Sequence, residues 1–299
     1  MNENSFLHNL KNLLEVPSYF RQEHKMIEYI ETLLSEIPDI SYHHDQYGNI
    51  YVTKGSADFY PLVCAHTDTV HRIENYTIEE FKTYEGLPAL RGVKEIILPG
   101  KNKPRKVGSG CGGDNKTGVM ICIELLKSQE ILKAAFFFGE ETGCNGSKLA
   151  DPTFFTNVGY CLEFDAPEDF WVSHICYGQK LFDDNGEFWK TAKPIMDIFT
   201  NLKPDPYNNT HPYTDVYALK ALYDFSCLNF SSGYYHMHTS DEYVVIADVI
   251  KALDTAKELL QALGNTKYQY LNGCDKGSNF DVYYKHHYIK FNDVIESEV

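Results

Sequence analysis

Acids and imidazoles stand where apolar runs of this chain stop. His66 follows YPLVCA, Glu140 and Glu141 follow AAFFFG, Asp165 closes GYCLEF and His238 comes after FSCLNF, while Asp114 adds a carboxylate within GCGGDNKTG. In open α/β sheets the carboxyl ends of the strands converge on one crevice, so ligands scattered along a chain can meet there. Imidazole and carboxylate donors gathered in this way suit zinc-type divalent cations. The pattern predicts a two-metal hydrolase.

Each segment narrows the chemistry. His66 and Asp68 in CAHTDTV are two residues apart and share a face if strand geometry persists; a carboxylate so placed can receive the proton of the ring nitrogen that a metal leaves free. Glycines before Asp114 allow close backbone approach, and its two oxygens can bridge two cations. Glu140 and Glu141 in FFFGEETG would repel at the end of so apolar a strand unless positive charge sits beside them. A division of labour resolves this: Glu141 binds metal, while Glu140 takes a proton from metal-activated water and delivers it to the leaving nitrogen. CLEFDAP offers Asp165 at a strand end and Glu163 deeper on the same face, and GYYHMHTSDEYV offers His236 and His238, either of which can complete a site. Singly, each segment also reads as a turn, a helix cap or a strand end. Together, Asp114, Glu140, Glu141 and Asp165 carry the negative charge that two zinc ions would balance.

The elements that must position these residues follow a β/α alternation. Ser5 is placed to cap a first helix reaching about Val16, and QEHKMIEYIETLLSEI carries a second, with Met26, Ile27, Ile30, Leu33, Leu34 and Ile37 on its apolar face. ISYHH and NIYVTKG read as a hairpin leading into the central strand YPLVCAH. Residues 74 to 108 are polar and irregular, with a hairpin expected in LPALRGVKEIILPG. Helices at 115–129, 145–150, 189–202, 214–222 and 246–263 and strands at 132–138, 158–164 and 225–230 complete the reading. The fold class is α/β: a mixed, mostly parallel central sheet flanked by helices on both faces, a three-layer sandwich. Residues 1–264 form one catalytic domain, and 265–299 a C-terminal extension without a clear period.

Composition removes other classes of function. The formal charge is -15 over 299 residues, which argues against nucleic acid or an anionic membrane as partner, since either needs a basic face. Eight cysteines without a CxxC pair, several within apolar stretches, read as buried free thiols. The N-terminus has neither the basic start nor the apolar run of a signal peptide, so a cytoplasmic enzyme is expected.

HTD at 66–68, GGDNKTG at 112–118, GEETG at 139–143, EFD at 163–165 and HTSDE at 238–242 stand in one order. In that order they resemble the dinuclear zinc exopeptidase superfamily of peptidase T, the glutamyl and leucyl aminopeptidases and the aminoacylase-type carboxypeptidases. The resemblance implies that His66 and Asp165 hold one metal, that Glu141 and His238 hold the other, and that Asp114 bridges them. Asp68 would orient His66, and Glu140 would be the general base. It selects His238 over His236, because Glu242 follows at the interval relatives keep; His236 stays a candidate beside the site. Asn115 stands where many relatives have a second Asp. The spacings from Asp68 to Asp114 and from Asp165 to His238 leave no room for the inserted domains of larger relatives, which points to a stripped catalytic domain and an aminopeptidase-like exopeptidase. HPYTDVYAL resembles a helix start near the substrate pocket of relatives, making His211, Tyr213 and Asp215 candidate substrate contacts. The implied cofactors are two zinc ions, with cobalt or manganese also suited. The implied substrate is a small peptide or an N-acylated amino acid. A glutaminyl-cyclase-like single-zinc acyltransferase shares the architecture, and a non-catalytic binding protein on the same scaffold is a third reading, disfavoured by the retained Glu140.

Overall fold

In chain order the computed structural model, which describes residues 3–72, 76–176, 178–203 and 214–271, begins with α1 (Glu3–Glu15), α2 (His24–Ser35), β1 (Ile40–His44), β2 (Ile50–Lys54) and β3 (Tyr60–His66). Next come β4 (Tyr76–Lys82), β5 (Pro88–Ile96), β6 (Arg105–Gly108), α3 (Gly113–Ser128), β7 (Leu132–Phe137), α4 (Asn145–Lys148) and β8 (Val158–Ala166). The short strands β9 (Val172–Ser173), β10 (Ile175–Cys176) and β11 (Gln179–Lys180) precede α5 (Glu187–Phe199) and α6 (Asp215–Leu222). The series closes with β12 (Ser226–Ser231), β13 (Tyr234–Tyr235), β14 (Tyr243–Val245) and α7 (Ile246–Leu263).

The main sheet has seven strands in the order β1-β2-β7-β3-β8-β12-β9. Its four middle strands, β7, β3, β8 and β12, run parallel, whereas β2 joins β7 and β9 joins β12 antiparallel. β3, β7 and β8 are buried along their whole length, the condition that continuous apolar runs specify when helices cover both faces of a sheet. α3 packs on β3, β7 and β8 alongside α1 and α7, and α4 and α6 form a second group against the same strands. α3 is buried nearly all round, as VMICIELL requires. α2 needs only one apolar face and buries Met26, Ile30, Leu33 and Leu34. Because β7, β3 and β8 are parallel, their carboxyl ends lie together, and His66 ends β3 while Asp165 sits one residue from the end of β8.

The second sheet departs from the sequence reading. LPALRGVKEIILPG contains one long strand, β5, in place of a hairpin; the turn comes earlier, and β4 pairs with β5 from Tyr76 to Lys82. β14 and β6 share the other edge of β5, and β13 adds to β14, giving the order β13-β14-β5-β4 with β6 at the side. α1 begins before Ser5, which therefore lies inside the helix and is not its cap. His238 also moves: it does not end β12 but lies between β13 and β14, on the second sheet.

Two further joints tie outlying segments to the core. Lys116 in α3 is buried and donates from Nζ to the carbonyls of Leu14 (2.9 Å) and Val16 (2.8 Å), groups that the end of α1 leaves unpaired. Beyond α7, Tyr268 donates its N–H to Gly159 (2.9 Å) and accepts from Ser226 (2.9 Å), fastening the segment around residue 268 to the sheet. Among the described residues no helix is long and apolar enough to cross a membrane, and seven cysteines are buried and free.

Candidate metal centre

Six side chains meet at the carboxyl end of the main sheet. The carboxylate of Asp114, at the start of α3, lies between two imidazoles: Oδ1 is 3.1 Å from His66 Nε2 and Oδ2 is 3.2 Å from His238 Nε2. His66 Nε2 also stands 3.7 Å from Asp165 Oδ1 and 3.9 Å from Glu140 Oε2. His238 Nε2 is 3.1 Å from Glu141 Oε2. One donor atom each from His66, Asp114 and Glu141 lie within 4.8 Å of one another. Asp114 thus faces two pairs of side chains, His66 with Asp165 and His238 with Glu141.

A surrounding set of hydrogen bonds holds these groups. Asp68 turns its carboxylate to the loop after β7, accepting the N–H of Glu140 at Oδ1 (3.0 Å) and of Glu141 at Oδ2 (3.1 Å). The same Oδ1 is 3.3 Å from His66 Nδ1, which lies closer still, at 3.0 Å, to the Asp68 carbonyl. One aspartate thus fixes the ring of His66 and the backbone of both glutamates. The loop is tied from below by Asn49, which accepts the N–H of Phe138 (3.1 Å) and donates to the carbonyl of Gly146 (3.0 Å). Asn229 of β12 grips the backbone of Asp165 on both sides, accepting its N–H (2.8 Å) and donating to its carbonyl (3.0 Å). Tyr234 donates to Asp165 Oδ1 (3.3 Å), and the Thr214 hydroxyl stands 3.0 Å from Oδ2 and 2.5 Å from Glu163. Cys144 donates its thiol to Glu140 Oε1 (3.3 Å), which leaves Oε2 facing the cluster.

Burial and mutual charge set the protonation of the cluster. Burial alone would lower the pKa of His66, but Asp114, Asp165 and Asp68 outweigh it and hold the ring well above its ordinary value. Asp114 and Glu141 push His238 up to about 11. Burial raises Asp114, yet the two imidazoles pull it below the usual carboxylate range. Glu140 is raised, by burial first and then by Asp165, Asp215 and Asp114, against the pull of His66. Burial likewise raises Glu141 and takes Asp215 up to about 7. Protons on the imidazoles supply the positive charge that the carboxylates call for. Glu141 Oε1 and Asp215 Oδ2 are nevertheless buried without a hydrogen-bond partner. Nitrogen and carboxylate donors, with an unpaired oxygen among them, fit divalent cations of the zinc, cobalt or manganese type.

The structure brings together His66, Asp68, Asp114, Glu140, Glu141, Asp165 and His238. It does not bring in His236, an exposed residue whose ring stands edge-on to Tyr243 at 5.3 Å. Asp215 is buried at the start of α6, accepting from Ser147 at 2.5 Å, and His211 and Tyr213 lie outside the described residues. Asn229, Tyr234 and Cys144 escaped the sequence reading; each is a common residue type whose relevance comes only from its neighbour. The TD pair at 214–215 was the one available signal, and its threonine serves acids of β8 without capping α6 through its side chain.

No family model matches the chain, and no curated protein does either. Solved peptidases share its fold. A tripeptidase from Staphylococcus aureus superposes with a TM-score of 0.67 at 12% identity, covering 87% of this chain and 98% of its own. Aminopeptidase PepT from Bacillus cereus gives 0.63 at 12% identity, covering 88% and 99%. The Pyrococcus horikoshii TET1 peptidase, which can assemble into a tetrahedron or a large octahedral shell, gives 0.57 at 15% identity, covering 85% and 98%. The chain therefore has a peptidase-type α/β fold. At these identities the likeness fixes the architecture, and the chemistry must be argued from the cluster itself.

Proposed function

We propose that the chain is a metal-dependent exopeptidase of the aminopeptidase type, hydrolysing a peptide or related amide bond. The observation that carries this reading is the carboxylate of Asp114, whose two oxygens face two different imidazoles at 3.1 and 3.2 Å. Such a carboxylate suits a bridge between two divalent cations, one held by His66 and Asp165 and the other by Glu141 and His238. Bound there, the cations would lower the pKa of a water molecule and draw charge from the substrate carbonyl.

The remaining work falls to the chain's own residues. Glu140 has one oxygen fixed by the thiol of Cys144 and the other free toward the cluster, and burial raises its pKa. A carboxylate so tuned can take a proton from attacking water and return it to the leaving nitrogen. Asp68 keeps both glutamates and His66 in register, and Asp215, expected from the sequence to meet substrate, is fully buried against Ser147 and acts from behind the cluster.

Elemental analysis of the purified chain, joined to a screen of aminoacyl and acetylated dipeptides, tests the reading. Two bound equivalents with cleavage of free-amino substrates support it. Cleavage of acetylated substrates alone moves the activity to the aminoacylase type, and protein that binds no divalent cation and cleaves nothing overturns the proposal.

A further inference from the structure

Glu242 stands at the far end of the loop that carries His238, and it is fully buried. Its carboxylate points away from His238, into the loop that carries Asp114. Oε2 accepts the N–H of Cys111 (3.0 Å), Gly112 (2.5 Å) and Gly113 (3.2 Å), and Oε1 lies 3.4 Å from the N–H of Asp114. Four successive amides converging on one anion form a nest, in which charge strengthens every bond. His71 Nε2 lies 3.1 Å from Oε2, close enough for charge attraction though out of line for a hydrogen bond. The two loops are stitched a second time where Gly110 donates its N–H to the carbonyl of Ser240 (3.0 Å). Gly110 has φ +70°, and a Cβ there would come within 2.3 Å of the His71 ring, so the clamp is packed to contact.

This arrangement joins two parts of the molecule that share no strand. Asp114 opens α3 on the main sheet, and His238 hangs from the second sheet. Their facing atoms meet at 3.2 Å, but the His238 side chain is 45% exposed and is a poor anchor by itself. The buried anchor is Glu242. We propose that Glu242 is a positioning residue: through the amides of 111–114 it sets Asp114 against His238 and so preorganises the half of the site that Glu141 and His238 would complete. The inference rests on the two-cation reading above. It implies an asymmetry: the half completed by Glu141 and His238 depends on the clamp for both the shared Asp114 and the loop that carries His238, whereas the other half shares only Asp114 and keeps His66 and Asp165 on β3 and β8, with Asn229 fixing the backbone of Asp165.

Calorimetric titration of the metal-stripped full chain with Zn²⁺ decides the matter. The parent chain is expected to take two equivalents. Glu242→Ala is expected to weaken one about 10–100-fold, the range found when groups supporting metal ligands are removed, and the other, which loses only the placement of the shared Asp114, by distinctly less. Glu242→Gln retains a carbonyl oxygen for the amides and should recover most of that loss, and His71→Gln, which leaves the nest intact, should weaken the same equivalent by less. Should Glu242→Ala fail to fold, the Gln pair carries the test: selective weakening of one equivalent in either variant supports the clamp. Two equivalents bound at parental affinity in every folded variant overturn it. Equal weakening of both equivalents also overturns it, as the mark of a general loss of structure. A parent chain that binds fewer than two equivalents overturns the dinuclear reading, and the clamp falls with it; a parent with two equivalents and unaffected variants condemns the clamp alone.

Discussion

Replacing Asp215 by Asn should make the metal-stripped protein more stable, and by an amount that depends on pH. Asp215 is fully buried, with one oxygen accepting from Ser147 and the other unpartnered. Burial first, with Asp165 and Asp68 adding, raises its pKa from 3.8 to about 7. A carboxyl with a raised pKa binds its proton more tightly in the folded chain than in the unfolded one. Its contribution is therefore most favourable below the unfolded value of 3.8, declines as pH rises, and is fully unfavourable above about 7. At about 1.4 kcal/mol for each pH unit, the displacement amounts to about 4 kcal/mol. Asn keeps the acceptor that Ser147 needs, carries no charge at any pH, and turns an amide toward the neighbouring acids. Urea denaturation in the presence of a chelator is expected to show Asp215→Asn ahead of the parent by up to about 4 kcal/mol near pH ~8, falling to about 1 kcal/mol near pH ~4.5. An equal gain at both pH values, or no gain near pH ~8, would show that ionisation of Asp215 does not burden the fold.

Two substitutions probe the loop after β7. Glu140→Gln should cut turnover by about 10²–10⁴-fold, the ordinary yield of a positioned acid or base, while elemental analysis finds the metal content of the parent; wild-type turnover would remove Glu140 from its role. Asn49→Ala strands the N–H of Phe138 and the carbonyl of Gly146 and should cost about 2–4 kcal/mol in denaturant unfolding, because buried groups lose their partners; a loss below about 0.5 kcal/mol, typical of surface changes, would contradict that account.

The main sheet was legible because its signals are local. YPLVCAH, the strand before GEETG and GYCLEFDA are apolar runs that end abruptly in polar residues, and a run buried on both faces leaves little doubt about where the strand stops. That abruptness also marked His66, Glu140, Glu141 and Asp165, which the structure gathers. The second sheet was poorly legible because β4 keeps only Ile78 fully buried, so its alternation is diluted by polar and charged positions. The choice between His236 and His238 had no local signal at all. Resemblance favoured His238, and in space it faces Asp114 and Glu141 while His236 turns outward. The roles of Thr214, Asn229 and Glu242 lie in partners between 49 and 131 residues away along the chain, a range that no spacing rule reaches.

His238 hangs from a smaller sheet than the one bearing His66 and Asp165, and this sets a thermal order of events. The two sheets need not loosen at one temperature, since regions of a protein open with different free energies. Strands β13 and β14, which flank His238 at the edge of the smaller sheet, are only two and three residues long, and fraying there would carry off one imidazole while the parallel core still held its spectroscopic signature. Heat inactivation would then run ahead of melting, and a cation added in excess would close the gap by tying the seam.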